Sequence, residues 1–116
     1  MAYPVTHFEI TAKDSKKIAD FYGKVFDWSL EDAPMNYKMV KTNSGEHNGI
    51  GGGIGQSRDG KGLVTFYIET EDLKGTLSKV EKAGGKTIMP PTQNGPVELA
   101  MFADPEGNVI GLAKGM

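Results

Sequence analysis

The chemistry open to this chain is narrow, because its 116 residues hold two histidines and no cysteine. Zero cysteine removes disulfides, thiolate metal sites and cysteine nucleophiles together. Ser15, Ser29, Ser44, Ser57 and Ser78 read as turn or helix-surface residues, and no placed base stands beside any of them. Imidazole, carboxylate and phenol remain. His7 and Glu9 alternate in VTHFEIT, and Tyr67 and Glu69 alternate in VTFYIET, where Thr65 stands in place of the imidazole. An imidazole near a carboxylate or a phenol can move a proton near neutral pH. The same groups can also do no more than hydrogen-bond a polar ligand. His47, Glu9 and Glu69 would form a workable metal triad if the fold brought them together.

The glycine run Gly49 to Gly55, GIGGGIG, invites comparison with phosphate loops, and the comparison fails. No G-x-G-x-x-G frame fits, since the third position counted from Gly49 and Gly51 is Ile54. Gly55 to Lys61 approaches a Walker A loop, but Gly62 replaces the hydroxyl residue that would hold magnesium. A strand pattern rather than a helix follows, so the helix N-terminus that such a loop requires is missing. Two readings stay open: a strand thinned to backbone so that a bulky group can lie against it, or a run of bulges at a flexible edge.

The elements that must position these residues repeat. Thr65 stands 58 positions after His7, and the same offset sets Phe66 over Phe8, Ile68 over Ile10 and Asp72 over Asp14. Gly107, Gly111 and Leu112 stand 62 positions after Gly45, Gly49 and Ile50, which places four extra residues near Pro90 to Gly95. Two copies of one unit follow, module one at about 1–57 and module two at about 62–116, within a single domain spanning 1–116. Val5 to Thr11 alternates as a strand, with Phe8 and Ile10 on one face and His7, Glu9 and Thr11 on the other. Asp14 is the expected N-cap of a helix carrying Ile18, Phe21, Tyr22 and Val25. A short strand at Trp28 to Leu30, a turn at Ala33 to Asn36, a strand at Tyr37 to Thr42 and a turn at Asn43-Ser44-Gly45 lead to the strand Asn48 to Gly55. Ser57 to Gly62 is the expected hinge.

Module two repeats the order: strand Leu63 to Thr70, Asp72 capping a helix that Gly84-Gly85 stops, and strand Lys86 to Met89, broken by Pro90-Pro91. Strands Val97 to Ala103 and Asn108 to Lys114 flank Asp104-Pro105-Glu106-Gly107, which carries the residues of a type I turn. Trp28, Tyr37, Met39 and Met101 read as apolar wall, as core or as contacts of a ligand.

Taken together, these features resemble the vicinal oxygen chelate superfamily, which includes glyoxalase I, bleomycin-resistance proteins and extradiol dioxygenases. The resemblance covers essentially the whole chain. It rests on His7 seven residues before Asp14, Asp20-Phe21-Tyr22 in the first helix, the repeated module, and DPEGN followed by an apolar strand. It implies an α+β fold of two βαβββ modules whose curved sheets form a cup, with helices outside and a ligand site inside. It also implies that metal ligands, where present, come from the first and last strands of each module. The matching positions here are His7, Gly49, Thr65 and Gly111, and His7 alone keeps a donor suited to a metal. Divalent ions need three or four converging ligands, so no metal and no cofactor are expected.

The expected function is therefore a metal-free, glyoxalase-like small-molecule protein, either a binder or a metal-independent enzyme. Its ligand would meet His7, Glu9, Thr65, Tyr67, Gly49, Gly111, Met39 and Met101, with His7 the best catalytic candidate. The rivals are a metal-dependent lyase or dioxygenase with a rearranged ligand set, and a regulatory or interaction module with a degenerate cup. Formal charge is −2 with both signs scattered, which argues against nucleic acid as a partner. No run of about 18 apolar residues exists to cross a membrane. The N-terminal stretch carries no signal-peptide pattern, and a cytoplasmic homodimer is expected.

Overall fold

The computed structural model of the chain describes residues 2–43 and 48–115. Ser44, Gly45 and His47 lie outside the described residues, and with them part of the turn expected after Asn43 and the histidine of the rearranged metal triad. The chain divides into two compact units, one spanning His7–Val64 and one built from the residues up to Thr6 together with those from Thr65 onward.

The first unit follows the order β1 (Val5–Ala12), α1 (Ser15–Phe26), β2 (Ser29–Ala33), β3 (Tyr37–Lys41), β4 (Gly52–Gln56). Its strands lie in the order β2-β3-β4-β1. The β1–β4 pair is parallel, with Phe8 opposite Gly52, Glu9 opposite Gly53 and Ile10 opposite Ile54. Asp14 caps α1, its carboxylate accepting from the Lys17 N–H at 3.1 Å, which satisfies one of the donors a helix start leaves orphaned. The helix covers the Phe8/Ile10 face, where Ala19, Val40 and Ile54 form a buried cluster with Phe8, Ile10, Ile18, Tyr22, Trp28 and Leu30 packed around it. Trp28 is core here, stacked on Tyr22 at 5.1 Å and tilted against Phe8 at 5.4 Å. Phe21 and Val25, expected in the buried stripe, are about half exposed.

The second unit repeats the plan with β5 (Leu63–Glu69), α2 (Leu73–Lys82), β6 (Lys86–Asn94), β7 (Val97–Ala103) and β8 (Val109–Lys114), ordered β5-β8-β7-β6. Asp72 caps α2 through the Gly75 N–H at 3.0 Å. Gly84, at φ 102°, ends the helix as expected, and the Gly85 N–H returns to the Val80 carbonyl at 2.9 Å. Leu73, Leu77, Ala100 and Leu112 make the core, with Ile68 and Phe102 against it. The leading segment is held to this unit, Pro4 accepting from the Glu69 N–H at 2.9 Å and Tyr3 accepting from Lys79 Nζ at 2.9 Å.

Three further expectations are corrected. Pro90-Pro91 does not end β6, which continues to Asn94. The register slips between Thr87 and Met89 and again before Thr92, and β6 lies at the outer end of its strand row, where proline's missing donor is tolerated. The last strand of module one begins at Gly52 rather than at Asn48. Finally, Glu9 faces Gly53 and Tyr67 faces Gly111, so β4 and β8 keep the 58-residue offset of the first strands. The 62-residue offset holds for β3 and β7 instead: Met39 pairs with Gly53 and Met101 with Gly111. The four residues gained before β7 are given back by the shorter turn after it, where the Gly107 N–H closes on the Asp104 carbonyl at 2.9 Å.

Candidate functional site

On the face of the first unit turned away from α1, alternation places His7 and Glu9 of β1, Gly53 and Gly55 of β4, and Tyr37 and Met39 of β3. Three of these side chains join. Tyr37 Oη lies 3.0 Å from His7 Nε2 and donates to Glu9 Oε1 at 3.0 Å. Tyr37 can reach both because β4 has no side chain in its way: a Cβ on Gly53 would fall on the Tyr37 hydroxyl, and one on Gly55 would press the same ring. Of the two sequence readings of the glycine run, the thinned strand is the one observed, and the bulky group against it is the protein's own tyrosine. The neighbouring Gly52 does the same on the opposite face, where a Cβ would strike the Phe8 ring.

His7 is buried, and burial holds its pKa below the ordinary value of 6.5, since the imidazolium form gives up hydration there. An imidazole, a phenol and a carboxylate joined by two hydrogen bonds can hold a polar ligand, or take up, pass on and return a proton. Tyr37 is the member the sequence reading placed with the apolar wall. Its position two residues before Met39 on an alternating strand, across from the glycines, was the available signal. Met39 shares this face and is 42% exposed.

Gly49 lies outside β4: its N–H donates to Asn43 Oδ1 at 2.9 Å, and a Cβ there would strike Thr42. Gly53 therefore takes the place assigned to Gly49. In the second unit Thr65 is buried, and its hydroxyl donates to the Val109 carbonyl at 2.7 Å. Tyr67 lies over Gly111, whose Cβ position its ring occupies, and Met101 continues that row.

The family likeness implies a divalent ion, and the described residues do not fit one. His7 Nε2 and Glu9 Oε1 are both engaged with Tyr37, the Thr65 hydroxyl is committed to a backbone carbonyl, and Gly53 and Gly111 carry no donor. Among the described residues no three His, Asp or Glu side chains converge.

Comparison with known proteins agrees with the repeated plan. The model of the Glyoxalase/Bleomycin resistance protein/Dioxygenase superfamily matches residues 5–112. A "Glyoxylase-like domain-containing protein" of Didymella fabae is 30% identical over 113 residues, covering 90% of this chain and 88% of that protein. Methylmalonyl-CoA epimerase from Mycobacterium tuberculosis superposes with a TM-score of 0.70 at 10% identity, covering 97% of this chain and 87% of that one. A glyoxalase/bleomycin resistance protein/dioxygenase superfamily member from Vibrio splendidus superposes with a TM-score of 0.66 at 12% identity, covering 97% and 99%. At such identities the structural likeness is one of fold.

Proposed function

The chain belongs to the Glyoxalase/Bleomycin resistance protein/Dioxygenase superfamily, and we propose that it binds a small organic ligand against the His7–Tyr37–Glu9 face without a chelated metal ion. The carrying observation is the hydrogen-bonded chain itself. The imidazole, phenol and carboxylate stand on the sheet face that α1 leaves uncovered, and they are tied to one another by two bonds of 3.0 Å. His7 is buried and Glu9 and Tyr37 are half-buried; polar groups so placed are costly to keep unless they are satisfied, and a few fixed polar groups of this kind can orient a small molecule. Such a set suits a binder and equally an enzyme that works by proton transfer. The ligand would lie against this set on the side toward Met39.

Native mass spectrometry of protein purified without an affinity tag, paired with a thermal-shift screen of small polar organic compounds, tests this reading. A retained organic adduct, or a compound that raises the unfolding midpoint of the wild type but not of His7→Ala, supports it. One divalent ion per chain that is lost in His7→Ala would overturn it. The same spectra report the subunit number, for which a homodimer is proposed.

A further inference from the structure

We propose that Tyr37 is the positioning residue of this site: seated in the glycine trough of β4, its hydroxyl fixes His7 as the Nε2–H tautomer and orients the carboxylate of Glu9. The inference rests on the ligand-binding reading above and deepens it, since it says which protonation state a ligand meets. A phenol carries one proton. Its described neighbours include two that can accept it, a neutral imidazole nitrogen and a carboxylate, each at 3.0 Å. A hydrogen bond to an ionised carboxylate is roughly twice as strong as one between neutral partners, so the phenol proton goes to Glu9. The oxygen then faces His7 with lone pairs only, and His7 must supply the proton of the second bond from Nε2. The hydrogen bonds run in one direction, from His7 through Tyr37 to Glu9.

The trough makes the arrangement specific. Tyr37 pairs with Ala33 at the hairpin end of β3, and its ring crosses β4 where Gly53 and Gly55 leave room. Any side chain at position 53 would lift the hydroxyl away from both partners. The counterpart on the β8 strand, Gly111, lies under Tyr67 from the neighbouring strand, so the two modules fill equivalent hollows with rings of different origin.

The test is nitrogen-15 NMR of the imidazoles at a pH where His7 is neutral. The chain's other histidine is assigned through His47→Asn. The expected wild-type signature has Nε2 in the protonated range and Nδ1 in the lone-pair range. Tyr37→Phe keeps the ring in the trough and removes only the hydroxyl, so it should shift His7 toward a mixture of tautomers and weaken any ligand found by roughly tenfold. Gly53→Ala should give the same shift by displacing the ring, and where that variant does not fold, Tyr37→Phe carries the test. A His7 tautomer that Tyr37→Phe leaves unchanged would overturn the inference, as would a wild-type His7 protonated on Nδ1 while ligand binding is intact. A locked Nε2–H tautomer in a protein that binds no small ligand would support the tautomer lock and remove the proposed function instead.

Discussion

His7 shows how burial writes a pH dependence into a single side chain. Its native pKa lies below 6.5 because of desolvation, so the unfolded chain accepts a proton that the native state refuses. Above about pH 6.5 neither state is protonated there, and the residue contributes no slope. As pH falls through that value the unfolded state gains the proton first, and stability drops until the native pKa is reached. His7→Gln should flatten this acid-side loss. Urea melts at about pH 7.5 and pH 5 should show a larger difference for the wild type than for the variant, and equal differences would refute the assignment. Phe8 and Phe66 make the second residue-scale case, because the repeat alone predicts equal burial for both. Phe8 lies between Gly52 and Trp28. In the second module Ile110 stands 58 positions after Gly52, so a side chain replaces that glycine, and Phe66 remains 37% exposed outside the core cluster. Phe8→Ala should therefore cost about 2–3 kcal/mol and Phe66→Ala about 1 kcal/mol, read from the same melts.

At the scale of elements, most of each module was legible because local signals agreed with the repeat. Asp14 and Asp72 cap the helices as read, the Asp104–Gly107 turn closes as read, and Phe8 and Ile10 face the helix as alternation requires. Glycine and proline were where legibility failed. A glycine does not say which ring will lie on it, so the sequence pattern extends the strand back to Asn48, whereas β4 begins at Gly52, and it leaves Tyr37 among the apolar wall. Two consecutive prolines read as a stop, but the edge position and slipped register of β6 accommodate them. The β2–β3 hairpin that delivers Tyr37 carries a further local cost. Met35 and Asn36 both adopt left-handed backbone, at φ 64° and 59°, a conformation that asparagine tolerates and methionine resists. Met35 is 83% exposed, so its side chain offers little packing in return. Met35→Asn should raise stability by about 0.5–1 kcal/mol without moving Tyr37. An unchanged or lowered denaturation midpoint would count against left-handed strain at this turn.

Across the whole molecule, one βαβββ plan is written twice with different fillings, and the fillings bear on metal. Ile54 and Leu112, 58 positions apart, are each fully buried at the centre of their own core, so the repeat holds most firmly where packing demands it. It relaxes on the opposite faces, where the family's metal ligands would stand. His7 answers to Thr65, whose hydroxyl is tied to the Val109 carbonyl at 2.7 Å, and Gly53 answers to Gly111, both lying under tyrosine rings. A hydrated divalent ion gives up its waters only to several well-placed donors. To recruit His7 and Glu9 it would also have to break both bonds of Tyr37, for a set that among the described residues is still short of the required number. The expected outcome is that tag-free protein carries no stoichiometric zinc, nickel, iron or manganese by elemental analysis. Dialysis against a chelator should leave the unfolding midpoint where it was, because no binding energy to the native state is withdrawn. Adding zinc to Tyr37→Phe, in which neither donor is held by the phenol, tests the same reasoning from the other side. That variant should bind the ion more readily than the wild type does, and a wild type that takes up one equivalent as tightly as the variant would show that the tyrosine is no barrier.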